Sequence, residues 1–293
     1  MQKIAPSELM INSDGSIFHL HLLPNELADT VILVGDPDRA YRVSEFFDSV
    51  EFKRQSREFV SATGLYKGCR MTVLSTGIGT DNIDIVLNEL DALSNIDFDL
   101  RIPKSTHRSL RIVRVGTSGA LQPDIPIGTH LLSAISVGFD GLLNWYAGRD
   151  QISLLDYEYA FVDHMKWSNQ LPAPYFVPNS PSLIDLLLPI SIPGITISAP
   201  GFYGPQGRVL RLPLLDPDLL NKIESFGHKG QRICNFEMEG SAIAGLSALL
   251  GHEAATICFI IANRHLHQSN TSYKPLMDRF IESVLNKLSE PQP

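Results

Sequence analysis

Val31-Ile32-Leu33-Val34 runs directly into Gly35-Asp36-Pro37-Asp38-Arg39, and this junction decides how the chain is read. Four aliphatic residues in succession, closed by a glycine, fit a buried strand that ends in a turn and then a helix start. Backbone N–H groups at such a place attract anions. Ile112-Val113-Arg114-Val115-Gly116-Thr117-Ser118-Gly119 repeats the logic, with a strand carrying one arginine and then a turn rich in exposed donors. A third strand, 71–75, ends at Thr76-Gly77-Ile78-Gly79, and a helical period follows it from Asn82. Any one of these glycines, taken singly, reads as a plain strand-to-helix turn. Together, two arginines and two donor-rich strand ends suggest one bound oxyanion.

Strand-like runs at 31–34, 59–66, 70–75, 111–116, 129–138, 193–199 and 254–262 alternate with helical patterns at 37–47, 82–94, 152–169, 215–226, 237–250 and 273–289. That alternation predicts an α/β fold with a central, largely parallel sheet covered by helices. No repeat, low-complexity block or clear linker interrupts it, so residues 1–293 read as one domain. Pro172, Pro174 and Pro178 mark a loop before the second half, with strands on both sides joining one sheet.

Composition sets outer bounds. A chain of 293 residues, 44% hydrophobic, can bury a sizeable core. A net charge of -8 with scattered Lys and Arg disfavours a nucleic-acid polymer as partner. Cys69, Cys234 and Cys258 sit in apolar or strand-like settings without metal-type spacing and read as reduced core thiols. The nine histidines contain no HExxH pattern, and His265 and His267 read as surface residues, so no metal is expected. The opening residues lack a sustained apolar run and no stretch approaches membrane-spanning length, which makes the expected location cytoplasmic.

Two further stretches carry chemistry. Gly201-Phe202-Tyr203-Gly204-Pro205-Gln206-Gly207-Arg208 places an aromatic face, an amide and a guanidinium in one Gly/Pro-rich turn. An amide both donates and accepts while an arginine fork only donates, so the pair suits a ring with adjacent carbonyl and N–H groups such as uracil. By itself the turn also reads as an ordinary surface loop. Asn235-Phe236-Glu237-Met238-Glu239-Gly240-Ser241-Ala242 sets two carboxylates around a methionine ahead of a small-residue helix. Either carboxylate could accept both hydroxyls of a ribose; equally, they could be an acidic helix N-terminus.

These pieces, with Phe18-His19-Leu20, Arg57-Glu58-Phe59 and Asn263-Arg264, are spread in order over nearly the whole chain. In that order and spacing the sequence resembles the nucleoside phosphorylase superfamily, and within it the uridine phosphorylases. The resemblance implies a single-domain three-layer αβα sandwich around a twisted, mixed sheet. It implies that Gly35, Arg39, Arg114 and Thr117 bind phosphate, joined by Arg57 from a neighbouring subunit. Met238 and Glu239 would hold the ribose hydroxyls, and His19 of a second chain the 5'-hydroxyl, which makes a homodimer the minimal unit; some members assemble further into hexamers. Phe202 would stack on the base, Gln206 and Arg208 would bond its edge, and Arg264 would support their loop. Arg39, Arg114, Glu239 and Arg208 are the implied catalytic set. The implied reaction is reversible phosphorolysis, with inorganic phosphate as co-substrate and no other cofactor. Some members bind a monovalent cation between subunits near the residues matching Glu58 and Asn82, and the resemblance extends that option to this chain.

Base choice is read from Ile260-Ile261-Ala262-Asn263-Arg264. Purine-specific members usually carry a Ser-Asp pair here, the aspartate protonating a ring nitrogen, and an asparagine cannot do so. The same residue read alone is a strand-end cap. Two departures from the bacterial uridine phosphorylase pattern stand out. Thr80-Asp81-Asn82 replaces a Gly-Pro-Ser type of turn, and Asp81 is expected to cap the following helix. The segment 95–111 is long and basic, with Arg101, Lys104, His107, Arg108 and Arg111, and reads as a surface excursion or an altered subunit contact. The competing functions are a phosphorylase for deoxyuridine, thymidine or purine nucleosides, a hydrolytic nucleosidase, and a non-catalytic nucleoside-binding protein.

Overall fold

The computed structural model describes residues 3–290. The opening junction forms strand β1 (Thr30–Val34) and helix α1 (Pro37–Ser44). Within β1 the side chains part by period two: Val31 and Leu33 enter one core, Ile32 and Val34 the other. A strand covered on both faces has no solvent side, which is why its sequence does not alternate. Each such aliphatic side chain contributes about 1.5–3 kcal/mol by leaving water.

The remaining strands are β2 (Ser49–Ser56), β3 (Phe59–Tyr66), β4 (Cys69–Ser75), β5 (Arg111–Ala120), β6 (His130–Gly138), β7 (Tyr175–Pro178), β8 (Ile192–Ser198), β9 (Gln231–Glu237) and β10 (Glu253–Asn263). They are interleaved with α2 (Thr80–Asn95), α3 (Leu155–Met165), α4 (Pro181–Leu187), α5 (Leu219–Ser225), α6 (Gly240–Leu250) and α7 (Lys274–Leu288). The sheet order is β9-β8-β6-β10-β5-β1-β4-β3-β2, with β7 beside β6. β1 lies parallel to β4 and β5, and β10 parallel to β5, whereas β2, β3 and the β6–β10 pair are antiparallel. The sheet is therefore mixed, as expected. One side chain set packs α2 and α6 on one face and the other packs α1, α4 and α7 on the opposite face.

The sheet also does something no local pattern announces. β9 pairs antiparallel with β5 through Asn235 opposite Ala120 and Phe236 opposite Gly119. Since β9 is parallel to β8, β8 to β6, and β6 pairs with β10, the strands from β5 to β9 close on themselves. This brings the end of β9 against the end of β5.

Several boundaries differ from the sequence reading. β2 went unrecognised because it is a largely exposed edge strand with the sequence SVEFKRQS, and polar edges carry no apolar pattern. β7 is four residues inside a proline-rich stretch, and β9 opens on Gln231 and Arg232. The run expected as one helix over 152–169 is a short turn at 149–152 and then α3, broken at Ser153, which is extended. Residues 215–218 lie outside α5. Glu237, expected as the first residue of a helix, instead ends β9, and α6 begins at Gly240. The basic segment 95–111 contains a two-residue hairpin, 96–97 with 102–103. Its cations are spent locally: Arg101 bonds the carbonyls of Ile4, Ala5 and Leu9, Lys104 that of Ser94, and Arg108 Asp29 and the Leu27 carbonyl. No helix among the described residues is long and apolar enough to cross a membrane.

Candidate active site

Val34 at the end of β1 lies opposite Ser75 at the end of β4, and Leu33 opposite Arg114 within β5; the turn expected at Gly116–Gly119 does not form, because β5 keeps pairing with β10 and runs on to Ala120. Ligands of open α/β sheets bind at this C-terminal edge because the turns that follow the strands are free to vary. Arg114 has the same strand parity as Ile112, which packs with the α2–α6 side of the core. Its side chain is 6% exposed and meets two buried carboxylates from the other end of the closed ring. Nη2 donates to Glu239 Oε2, while Nη1 lies 3.3 Å from Glu237 Oε2 and 3.4 Å from the Cys258 sulfur. Nε has no partner among the described residues.

Burial alone would lower the Arg114 pKa, but the charges of Glu239 and Glu237 hold it above the ordinary value. Burial raises the Glu239 pKa, against the pull of Arg114, and Glu237 adds to the rise. One guanidinium between two carboxylates leaves the cluster net negative, so a further cation is called for when an anion enters. Arg39 is nearby: its Nη1 lies 3.4 Å from the Val115 carbonyl, and its pKa is lowered first by burial and further by the charge of Arg114. Thr117 follows on β5, partly exposed, and Gly35 closes β1.

Glu239 is held from both sides. Oε1 accepts the Gly79 N–H at 2.8 Å, which ties it to the turn after β4. That turn depends on glycine: Gly77 and Gly79 have φ of 70° and 103°, a region that L side chains rarely adopt. Glu237, by contrast, is a structural acceptor: Oε2 takes the N–H groups of Glu239 and Gly240 at 2.8 Å each, and Oε1 takes the Ser198 hydroxyl. It caps α6, which the sequence reading gave to the pair without distinguishing them. Asp81 does not cap α2. The helix starts one residue earlier, with Gly79 as the flanking residue, and Asp81 sits exposed in the first turn, where the helix dipole favours it.

The aromatic turn follows β8 on the same edge, fastened by the Ala199 N–H to the Glu237 carbonyl at 3.0 Å. Gln206 is buried, with Oε1 accepting from Arg208 Nη1 at 2.5 Å. The Arg208 guanidinium also lies 3.8 Å from the Phe202 ring centroid, and Phe202 itself is half exposed. Burial brings the Arg208 pKa down to about 10, with the charge of Arg264 adding. Arg264 Nη1 donates to the Gln206 carbonyl at 3.0 Å. Asn263 is fully used elsewhere: its amide donates to the Gln122 and Ile125 carbonyls at 2.9 Å each and accepts the Leu266 N–H at 2.8 Å.

Two candidates are placed differently. His19 Nδ1 lies 2.6 Å from Glu89 of α2, and Arg57 is exposed in the β2–β3 turn with φ of 54°. Sequence reasoning also missed three contributors: Gly79 as a backbone donor, Ser198 as a partner of Glu237, and Cys258 beside Arg114. None has a local signal, because each depends on which strands become neighbours.

Two other features lie outside this cluster. A cavity of about 700 Å³ lined mostly by apolar groups, including Phe139, Trp167, Pro205 and Leu214, lies behind the aromatic turn, and none of the candidate residues lines it. The candidate site is therefore the charge cluster and not this cavity. Asp91, His107 and His252 have one ligand atom each within 4.8 Å of the others. His252 Nδ1 accepts the Leu110 N–H, so Nε2, the atom facing Asp91, carries the proton and offers no lone pair to a metal.

Comparison with known proteins bears on the family and the fold. The family profile of the phosphorylase superfamily matches residues 29–288. The chain belongs to that superfamily. Its relatives include a uridine phosphorylase of Thermococcus kodakarensis, 28% identical over 90% of this chain and 83% of the relative. A purine nucleoside phosphorylase of Proteus mirabilis is 26% identical over 91% of this chain and 97% of its own length. Among solved structures, a Trypanosoma brucei nucleoside phosphorylase described as showing uridine phosphorylase activity superposes with a TM-score of 0.87. It is 29% identical, with 96% of this chain and 99% of that one covered. The relatives thus include proteins named for pyrimidine and for purine nucleosides.

Proposed function

We propose that this phosphorylase cleaves the N-glycosidic bond of uridine with inorganic phosphate, giving uracil and ribose 1-phosphate. The observation that carries the reading is the buried Arg114–Glu239 contact, with one unpartnered guanidinium N–H, on the same sheet edge as the Gln206–Arg208 turn. A buried donor without an acceptor is costly, and a phosphate oxygen would satisfy it.

In this reading Gly35, Arg39, Arg114 and Thr117 hold phosphate, and Arg57 of a second copy completes the set. Glu239 receives the ribose hydroxyls beside Met238, and the second copy's His19 meets the 5'-hydroxyl. The glycosidic C–N bond breaks as a phosphate oxygen forms the new C–O bond, with positive charge gathered on the sugar between them. The bonding pair leaves with the base, where Gln206 and Arg208 receive the negative charge, and solvent supplies the proton. Phosphate serves as nucleophile and counter-charge, so no covalent enzyme intermediate is needed. Asn263 supports the pyrimidine assignment, because its amide is committed to the 122–125 loop and lacks an acidic proton.

Uracil release is measured with and without phosphate, with inosine in parallel. Phosphate-dependent release from uridine, with inosine uncleaved, is the expected result. Release without phosphate makes the protein a hydrolase, and cleavage of inosine overturns the base assignment. Arg208→Ala is expected to lower kcat/KM for uridine at least about tenfold by removing a donor at the base edge. An unchanged value removes Arg208 from the base site.

A further inference from the structure

We propose that the Asn82 side-chain amide fills, with hydrogen bonds, the place between Glu58 and the Thr76 carbonyl that an alkali cation would otherwise hold, so that the turn gripping Glu239 needs no monovalent ion. Asn82 Nδ2 lies 2.9 Å from the Thr76 carbonyl oxygen and 3.2 Å from Glu58 Oε1. With Nδ2 inward the amide donates to both acceptors, whereas the reverse orientation would gather three oxygens at one point with no donor among them. Two oxygens, one of them charged, thus converge on a pair of N–H donors. An alkali ion needs oxygen lone pairs at that point, and an amide NH2 group offers none.

The space is taken as well as the valence. A Cβ on Gly77 would lie 2.5 Å from Asn82 Nδ2 and 3.2 Å from Glu58 Cγ, so the amide and the carboxylate side chain are packed directly onto the turn. The negative charge of Glu58 has another compensation, since Asn82 belongs to the first turn of α2, whose N-terminal dipole favours an anion. Asn82 is therefore a positioning residue. It fixes the start of the 76–79 turn, and the far end of that turn donates the Gly79 N–H to Glu239 at 2.8 Å. With its nitrogen so placed, residue 82 gives no ligand to the cation that the sequence resemblance allowed; only the reverse orientation, Oδ1 inward, would.

The test follows thermal unfolding of the full-length protein in KCl, NaCl and choline chloride at equal ionic strength, with phosphorolysis rates in the same salts. One unfolding midpoint and one rate across the three salts is the expected result. A midpoint or rate that rises in KCl or NaCl relative to choline overturns the proposal. Asn82→Asp keeps the shape but exchanges the N–H donors for an oxygen, gathering two carboxylates and a carbonyl at one point. Its midpoint is expected to rise by about 2–4 °C in KCl or NaCl over choline. Folding of that variant only with one of these ions is the same result in stronger form, and a variant as indifferent as the parent overturns the proposal. The midpoint is read without turnover, so failure here is distinguishable from failure of the uridine assignment.

Discussion

Arg114→Ala is expected to lower kcat/KM for uridine phosphorolysis by about 10²–10³-fold and to lower the unfolding midpoint in the same protein. The two losses have different sources. Catalysis loses a charge-assisted donor set at the proposed phosphate site, where the buried guanidinium acts in a medium that screens it weakly. Stability suffers because Glu237 and Glu239 are both nearly fully buried and Arg114 is their shared cation. Breaking a buried ion pair by removing one partner costs about 3–5 kcal/mol, since the other charge stays behind. Arg114→Lys separates the effects. A lysine returns the charge and most of the stability but not the planar fork, so its midpoint should recover while kcat/KM stays depressed. Steady-state kinetics with phosphate varied, together with thermal unfolding of both variants, checks this. Wild-type kinetics in the alanine variant would remove Arg114 from the proposed phosphate site.

Glu239→Gln preserves volume and shape, yet a loss of about 10²-fold in kcat/KM is expected. The argument is one of acceptors. Glu239 presents two carboxylate oxygens to two donors, the Gly79 N–H and the Arg114 guanidinium. A glutamine has one acceptor oxygen, so its NH2 group must face one of those donors. Whichever way the amide turns, either the 76–79 turn or Arg114 is released, and a displacement near 1 Å at a positioning group is enough for a loss of that size. Kinetics of uridine against 2'-deoxyuridine should show the larger loss for uridine, whose extra hydroxyl the carboxylate is proposed to accept. Equal activity of the variant and parent on both nucleosides would exclude Glu239 from the ribose site.

The strand-to-helix junctions were legible because their information is local. Val31 to Val34 must be covered on both faces, a glycine must end the run, and the alternation with helical periods admits little besides an α/β sheet. The aromatic turn was legible for the same reason, its ring, amide and guanidinium all lying within eight residues. Where the local signal was weak, the reading failed: β2 is a polar edge, β9 opens on polar residues, and Asp81 resembles a cap although the helix has already started at Thr80.

By itself, then, the sequence determined the glycine turns that follow β1 and β4 and the side chains that carry charge near them, but not the end of β5, which runs through Gly116 and Gly119 to Ala120, nor that of β9, which takes in Glu237. Only the tertiary structure decided which of these side chains meet. The pairing of β9 with β5 places Glu237 and Glu239 on Arg114, more than a hundred residues away along the chain. It also assigns different work to two carboxylates that are alike in sequence, one capping α6 and the other gripped by Arg114 and Gly79. The physical reason is that strand pairing is non-local. A local pattern says that a strand must be buried, while the choice of neighbour follows from how all the strands and helices together bury their apolar faces and satisfy their polar groups.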